Sequence, residues 1–111
     1  MLAVNYCHFV PRFAVFRSQG AGWRHDLGLR QQPAFEEHRT YMNDLAAEGW
    51  VVMGGPLANG DMLLAVDAAS ADEVRQRLLD DPWEEHGLGT VTDVVEWHTL
   101  LLAPGVTPPN I

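Results

Sequence analysis

The patterns along the chain arrive as strand, helix, strand, strand, helix, strand. That β-α-β-β-α-β order specifies an α+β fold of the ferredoxin-like kind, with both helices on one face of an antiparallel sheet. Two amphipathic segments with their own start and stop signals, and an Asn59-Gly60 turn pair between two apolar runs, carry the reading.

The first strand is expected at about Arg12 to Arg17, in the stretch FVPRFAVF. Aromatic and β-branched residues dominate there, and Pro11 keeps its beginning at a sheet edge or outside the ladder. Ser18 to Pro33 holds three glycines and no sustained period, so it reads as a loop. Loops of this length without structure of their own tend to be functional or mobile, and Trp23 within it needs a place to dock.

Pro33 opens the first helix as a first-turn residue, Glu36 and Glu37 follow, and Gly49 ends it. At about 100° per residue, Ala34, Phe35, Tyr41, Met42, Leu45 and Ala46 share one arc, opposite a solvated side of Glu36, Glu37, Thr40, Asn43, Asp44, Ala47 and Glu48. His38 falls near the middle of the apolar arc, so an ionisable ring points inward.

Trp50 to Gly55 and Asp61 to Val66, joined through PLANG, form a β-hairpin. Ser70-Ala71-Asp72-Glu73 is a capping box that starts the second helix, with Ala71, Val74, Leu78 and Leu79 on its buried side. Arg75 falls on the same side, its stem snorkelling over the core edge. Pro82 pushes Asp81 out of helical geometry, so the helix stops near Asp80 and PWEEHG makes a short further turn. Thr90 to Leu102 supplies the last strand. The domain therefore covers residues 11–103, between an N-terminal extension of residues 1–10 and a loose proline-rich tail, residues 104–111.

This architecture leaves one sheet face uncovered. Val51-Val52-Met53, Leu63 to Val66 and Leu100 to Leu102 are apolar on both sides, where a solvated face would alternate. A second copy of the chain is the economical cover, which gives a homodimer packed sheet face to sheet face.

Composition narrows the partners. The 111 residues suffice for one domain with one core, burying roughly two thirds of the unfolded surface. A net charge of −8, with seven scattered arginines and no lysine, argues against nucleic acid and anionic membranes. Cys7 is the single cysteine, read as a small apolar residue near the first strand, and it excludes an intrachain disulfide. No segment has the cationic start and apolar run of a signal peptide or the length of a membrane span, so a cytoplasmic location is expected.

His38, Leu45, Glu48-Gly49, Gly54-Gly55-Pro56 with Leu57, Asp81-Pro82-Trp83, Gly87-Leu88 and Trp97 together resemble the YCII-related (YciI-like) proteins. The segment from Gly22-Trp23 to Gln32-Pro33 is similar to a subgroup with a tryptophan and a glutamine-proline ahead of the histidine helix. The resemblance covers about Arg12 to Leu102; the first ten residues have no counterpart in it. It implies a dimeric α/β barrel of ferredoxin-like subunits and an active site around a histidine and an aspartate, here His38 and Asp81. One member type is linked to dehydrochlorination of a chlorinated hydroxylated aromatic, related dimeric barrels include muconolactone isomerases, and most relatives have no assigned reaction.

His38 admits three roles: a core histidine bonded to a buried acceptor, a general acid or base, or a metal ligand. Histidine's unperturbed pKa of about 6.5 suits proton transfer at neutral pH. Of His8, His25, His86 and His98, none stands at ligand spacing from it, so metal is not expected. Asp81 reads equally as the N-cap of the PWEEHG turn, which needs only one carboxylate oxygen and leaves the other free for His38. Gly54, Gly55 and Pro56 end a strand and are expected to line a ligand site. Trp23 and Trp83 read as packing or as pocket walls. With neither a nucleophile constellation nor a nucleotide fingerprint, the leading expectation is a cofactor-free enzyme moving a proton on a small organic substrate, by elimination, isomerisation or hydrolysis. The competing class is a domain that binds a small molecule or dimerises without turnover.

Overall fold

The computed structural model describes residues 10–109, so the expectations for residues 1–9, Cys7 among them, lie outside the described residues. The elements are β1 (Arg12–Gln19), α1 (Phe35–Ala47), β2 (Val51–Pro56), β3 (Met62–Asp67), α2 (Ala71–Leu79), α3 (Pro82–Glu85) and β4 (Gly89–Glu96). The sheet runs β2-β3-β1-β4 with every neighbouring pair antiparallel. This is the expected α+β, ferredoxin-like arrangement.

Alternation along the strands decides what faces the helices. Phe13, Val15, Leu64 and Val66 point to one side and pack with Leu45, Trp50, Val74 and Leu78. A smaller cluster of Met62, Trp83 and Leu88, joined by Trp23 and Phe35, fills the end of the same layer. Gly49, at φ +83°, takes the left-handed conformation that turns the chain from α1 into β2.

Several expectations are corrected. The last strand stops at Glu96, which pairs with Phe13 one residue inside the start of β1; beyond it Trp97 N makes one further bond, to Arg12 O at 2.8 Å. Leu100 and Leu101 lie outside any strand, 87% and 96% exposed. β1 in turn extends to Gln19, since Arg17, Ser18 and Gln19 pair with Val91, Thr90 and Gly89. Helix α1 begins at Phe35 rather than at Pro33. Ala34 stands at φ +58°, a left-handed turn costing about 1 kcal/mol, while the Pro33 carbonyl accepts from Trp83 Nε1 at 3.0 Å.

On α2 Val74 and Leu78, one turn apart, are buried in the core and Ala71 packs against it as expected; Leu79 is 54% exposed and Arg75 is exposed. The snorkelling arginine is Arg77, whose guanidinium lies 4.7 Å above the Trp50 ring and bonds Glu48 at 2.8 Å. The Ser70 cap forms as expected, accepting from Glu73 N at 3.1 Å. The return half of the box shifts by one residue, with Glu73 Oε1 accepting from Ala69 N, and Glu73 Oε2 holds Trp50 Nε1 at 3.0 Å.

The long loop closes around one buried side chain. Gln32 Oε1 accepts from Arg24 N, and its Nε2 donates to the carbonyls of Arg24, Leu27 and Gly28. At its start Gly22 N donates to Gly87 O at 2.8 Å, pinning the loop to the connection into β4.

The face of the sheet away from the helices carries Ala14 opposite Ala65 and Val95, and Phe16 opposite Leu63. Phe16, Val95 and Trp97 are 36%, 47% and 41% exposed on it.

Candidate active site

Asp81 is fully buried, and four donor contacts converge on it. Pro82 forces its backbone into an extended conformation (φ −68°, ψ 127°) as the N-cap of α3. Its Oδ1 accepts from Trp83 N at 3.0 Å, and its Oδ2 from Arg17 Nη1 at 2.8 Å. His38 Nδ1 stands 2.9 Å from both oxygens. The capping and pairing roles of Asp81 thus coexist in one side chain.

A carboxylate at Nδ1 assigns the proton of a neutral imidazole to that nitrogen. The Nε2 side then carries the lone pair; it has no hydrogen-bond partner among the described residues and is not buried. The ring lies on Trp83, centroids 3.8 Å apart and planes 4° from parallel. Trp83 is itself fixed by its bond to Pro33 O and by Trp23, which meets it edge-on at 5.6 Å.

Burial by itself pushes the Asp81 carboxyl up. The hydrogen bond from His38, the His38 charge, the Arg17 guanidinium and the Trp83 N–H outweigh it and hold the group below the ordinary carboxylate value.

His38 opens onto a groove of about 410 Å³ between α1 and β2. Gly54, Gly55 and Pro56 form its β2 wall, Met42 and Phe35 its α1 wall, and Trp83 with Arg17 its inner end. Of the residues expected at a ligand site, the structure brings His38, Asp81, Trp83, Gly54, Gly55 and Pro56 together. Trp23 does not reach the groove, because it packs behind Trp83 instead.

Arg17 is the site residue that sequence reasoning missed. It is 1% exposed and adds bonds to Glu84 Oε2 at 3.3 Å and to Gly89 O at 3.1 Å. The available signal was its parity: Phe13, Val15 and Arg17 alternate on the core-facing side of β1. The other described histidines stand apart. His25, His86 and His98 are exposed, His86 Nδ1 bonding the Pro82 carbonyl of its own turn.

A model of the YCII-related domain matches residues 1–98. The chain belongs to the YCII-related family. Within this YCII-related domain the match begins at residue 1, ahead of the boundary expected at Pro11, and ends just past β4. No curated protein and no solved structure matches the chain.

Proposed function

We propose that this YCII-related domain is a cofactor-independent enzyme in which His38 moves a proton on a small organic substrate bound in the α1–β2 groove. The observation that carries the reading is the pairing of His38 Nδ1 with buried Asp81 while Nε2 is left toward the groove. In the neutral ring, Nε2 takes a proton from the substrate; the imidazolium so formed is stabilised by Asp81, which stays ionised. The same nitrogen then returns the proton to a different atom or to a leaving group, as isomerisation or elimination requires. Activation of water by Nε2 is the hydrolytic variant. Trp83 holds the ring in plane, and Gly54, Gly55 and Pro56 let a substrate approach the β2 backbone.

Two copies joining through the sheet face that bears Phe16, Val95 and Trp97 complete the proposed assembly. That face is apolar and lies opposite the groove's helix layer. Among the described residues no helix is long and apolar enough to cross a membrane.

The test is a panel of small lactones, carbonyl compounds and chlorinated hydroxylated aromatics in D2O, followed by NMR for turnover or for deuterium entering a substrate C–H position. Activity that disappears in His38→Asn, with the melting temperature nearly unchanged, is the expected result. A variant as active as the wild type, or one that loses stability heavily, overturns the catalytic reading.

A further inference from the structure

The His38–Asp81 pair has a third, buried partner. Arg17 reaches it from β1, in the layer between the sheet and α3, with 1% exposure and a permanent charge. Such a cation is sustained only by carboxylates at hydrogen-bond distance. It has two, Asp81 at 2.8 Å and Glu84 at 3.3 Å, together with the Gly89 carbonyl. The planar fork thus spans three acceptors, which a lysine ammonium does not reproduce.

Asp81 Oδ2 is the atom where the two side-chain donors meet, accepting from Arg17 Nη1 and lying within bonding distance of His38 Nδ1. The Trp83 N–H holds Oδ1, so Arg17 is the group that fixes the second oxygen and with it the plane of the carboxylate. That plane brings both oxygens equally close to His38 Nδ1. Charge follows the same geometry. An uncompensated buried carboxylate would hold the neighbouring ring as imidazolium, whereas a guanidinium on the same oxygen opposes this.

We infer that Arg17 is a positioning residue for the pair: it locks the Asp81 carboxylate toward His38 Nδ1 and offsets the carboxylate's charge on the ring. The inference rests on the proton-transfer reading given above. The charged and titratable groups facing the pair are Arg17 from β1, Glu84 from α3, and Arg39 and Tyr41 from α1, Tyr41 being tied through its hydroxyl to Arg77 O.

The test needs no substrate. The titration midpoint of the His38 ring is followed by NMR in the wild type, Asp81→Asn, Arg17→Met, Arg17→Lys and Arg17→Met/Glu84→Gln. The double variant removes the cation together with one of its counter-ions, so a folding failure of Arg17→Met alone does not stop the test. Asp81→Asn is expected to lower the midpoint. All three Arg17 variants are expected to raise it, by about one pH unit in Arg17→Met and least in Arg17→Lys, which keeps the charge without the fork. A wild-type midpoint in whichever of the three folds overturns the role of Arg17. A wild-type midpoint in Asp81→Asn as well would instead remove the pair itself, which separates the two failures.

Discussion

The imidazole of His38 lies flat against the indole of Trp83, the ring centroids 3.8 Å apart and the planes 4° from parallel. Trp83 is 1% exposed and uses its Nε1 on the Pro33 carbonyl, so one side chain packs the small cluster, orients His38 and anchors the entry to α1. Trp83→Leu removes all three functions and should destabilise by about 3 to 5 kcal/mol. Trp83→Phe keeps an aromatic face under the ring and loses the Pro33 bond, for about 1 to 3 kcal/mol. Urea unfolding of the two variants decides; equal losses would show that the stacked ring contributes nothing of its own.

Asp81→Asn leaves Arg17 buried with only Glu84 as counter-charge and should destabilise by about 3 to 5 kcal/mol at neutral pH. The pH dependence has a definite sign. The folded-state pKa of Asp81 is depressed, so its stabilising contribution is present above the unfolded carboxylate value of about 3.9 and is lost as pH falls through the folded value. The wild type should therefore lose more stability than Asp81→Asn on going from neutral pH to below about pH 4. Denaturant midpoints measured at neutral and acidic pH test this, and parallel declines would contradict it.

Neighbouring glycines on the groove wall should respond differently. A Cβ at Gly54 would collide with Leu64 Cδ2 and stand 3.1 Å from Leu63 O, whereas at Gly55 nothing lies within 4 Å. Gly54→Ala is expected to lower stability by about 1 to 3 kcal/mol. Gly55→Ala should leave the fold unchanged. Thermal melts of both variants check the contrast, and a large loss in Gly55→Ala would refute it.

A charge on the open sheet face should separate the proposed dimer. Val95 is 47% exposed and lies opposite Ala14, away from the core that Phe13 and Val15 fill. Val95→Lys is expected to preserve the circular dichroism spectrum and convert a dimer to a monomer by light scattering. A wild-type protein already monomeric at micromolar concentration would refute the dimer.

Local signals made the elements legible. Ser70 and Glu73 mark a helix start by hydrogen bonds within one turn, Asn59-Gly60 marks a hairpin by backbone conformation, and Pro82 ends α2 by a clash with the residue before it. Each effect acts over a few residues. His38 was legible as inward-facing for the same reason, since a helical arc depends only on spacing.

What exceeded the sequence depended on contacts between distant segments. Residues 17, 38 and 81 meet across separations of 43 and 64 positions, and neither pairing leaves a periodicity behind. Arg17 read as one of seven scattered arginines until the sheet put its face against α3. Trp23 was expected at the pocket, but the packing of Trp83 places it behind the wall. The end of β4 likewise follows from where β1 begins: Glu96 pairs with Phe13, and Arg12, the first residue of β1, takes one last bond from Trp97 N. Sequence alone determined the β-α-β-β-α-β order and the inward histidine, through short-range conformational preference and hydrophobic spacing. Only tertiary structure decided that Asp81 caps a helix, pairs with His38 and holds Arg17 at once, because burial at the meeting point of β1, α1 and α3 brings all their donors onto one carboxylate.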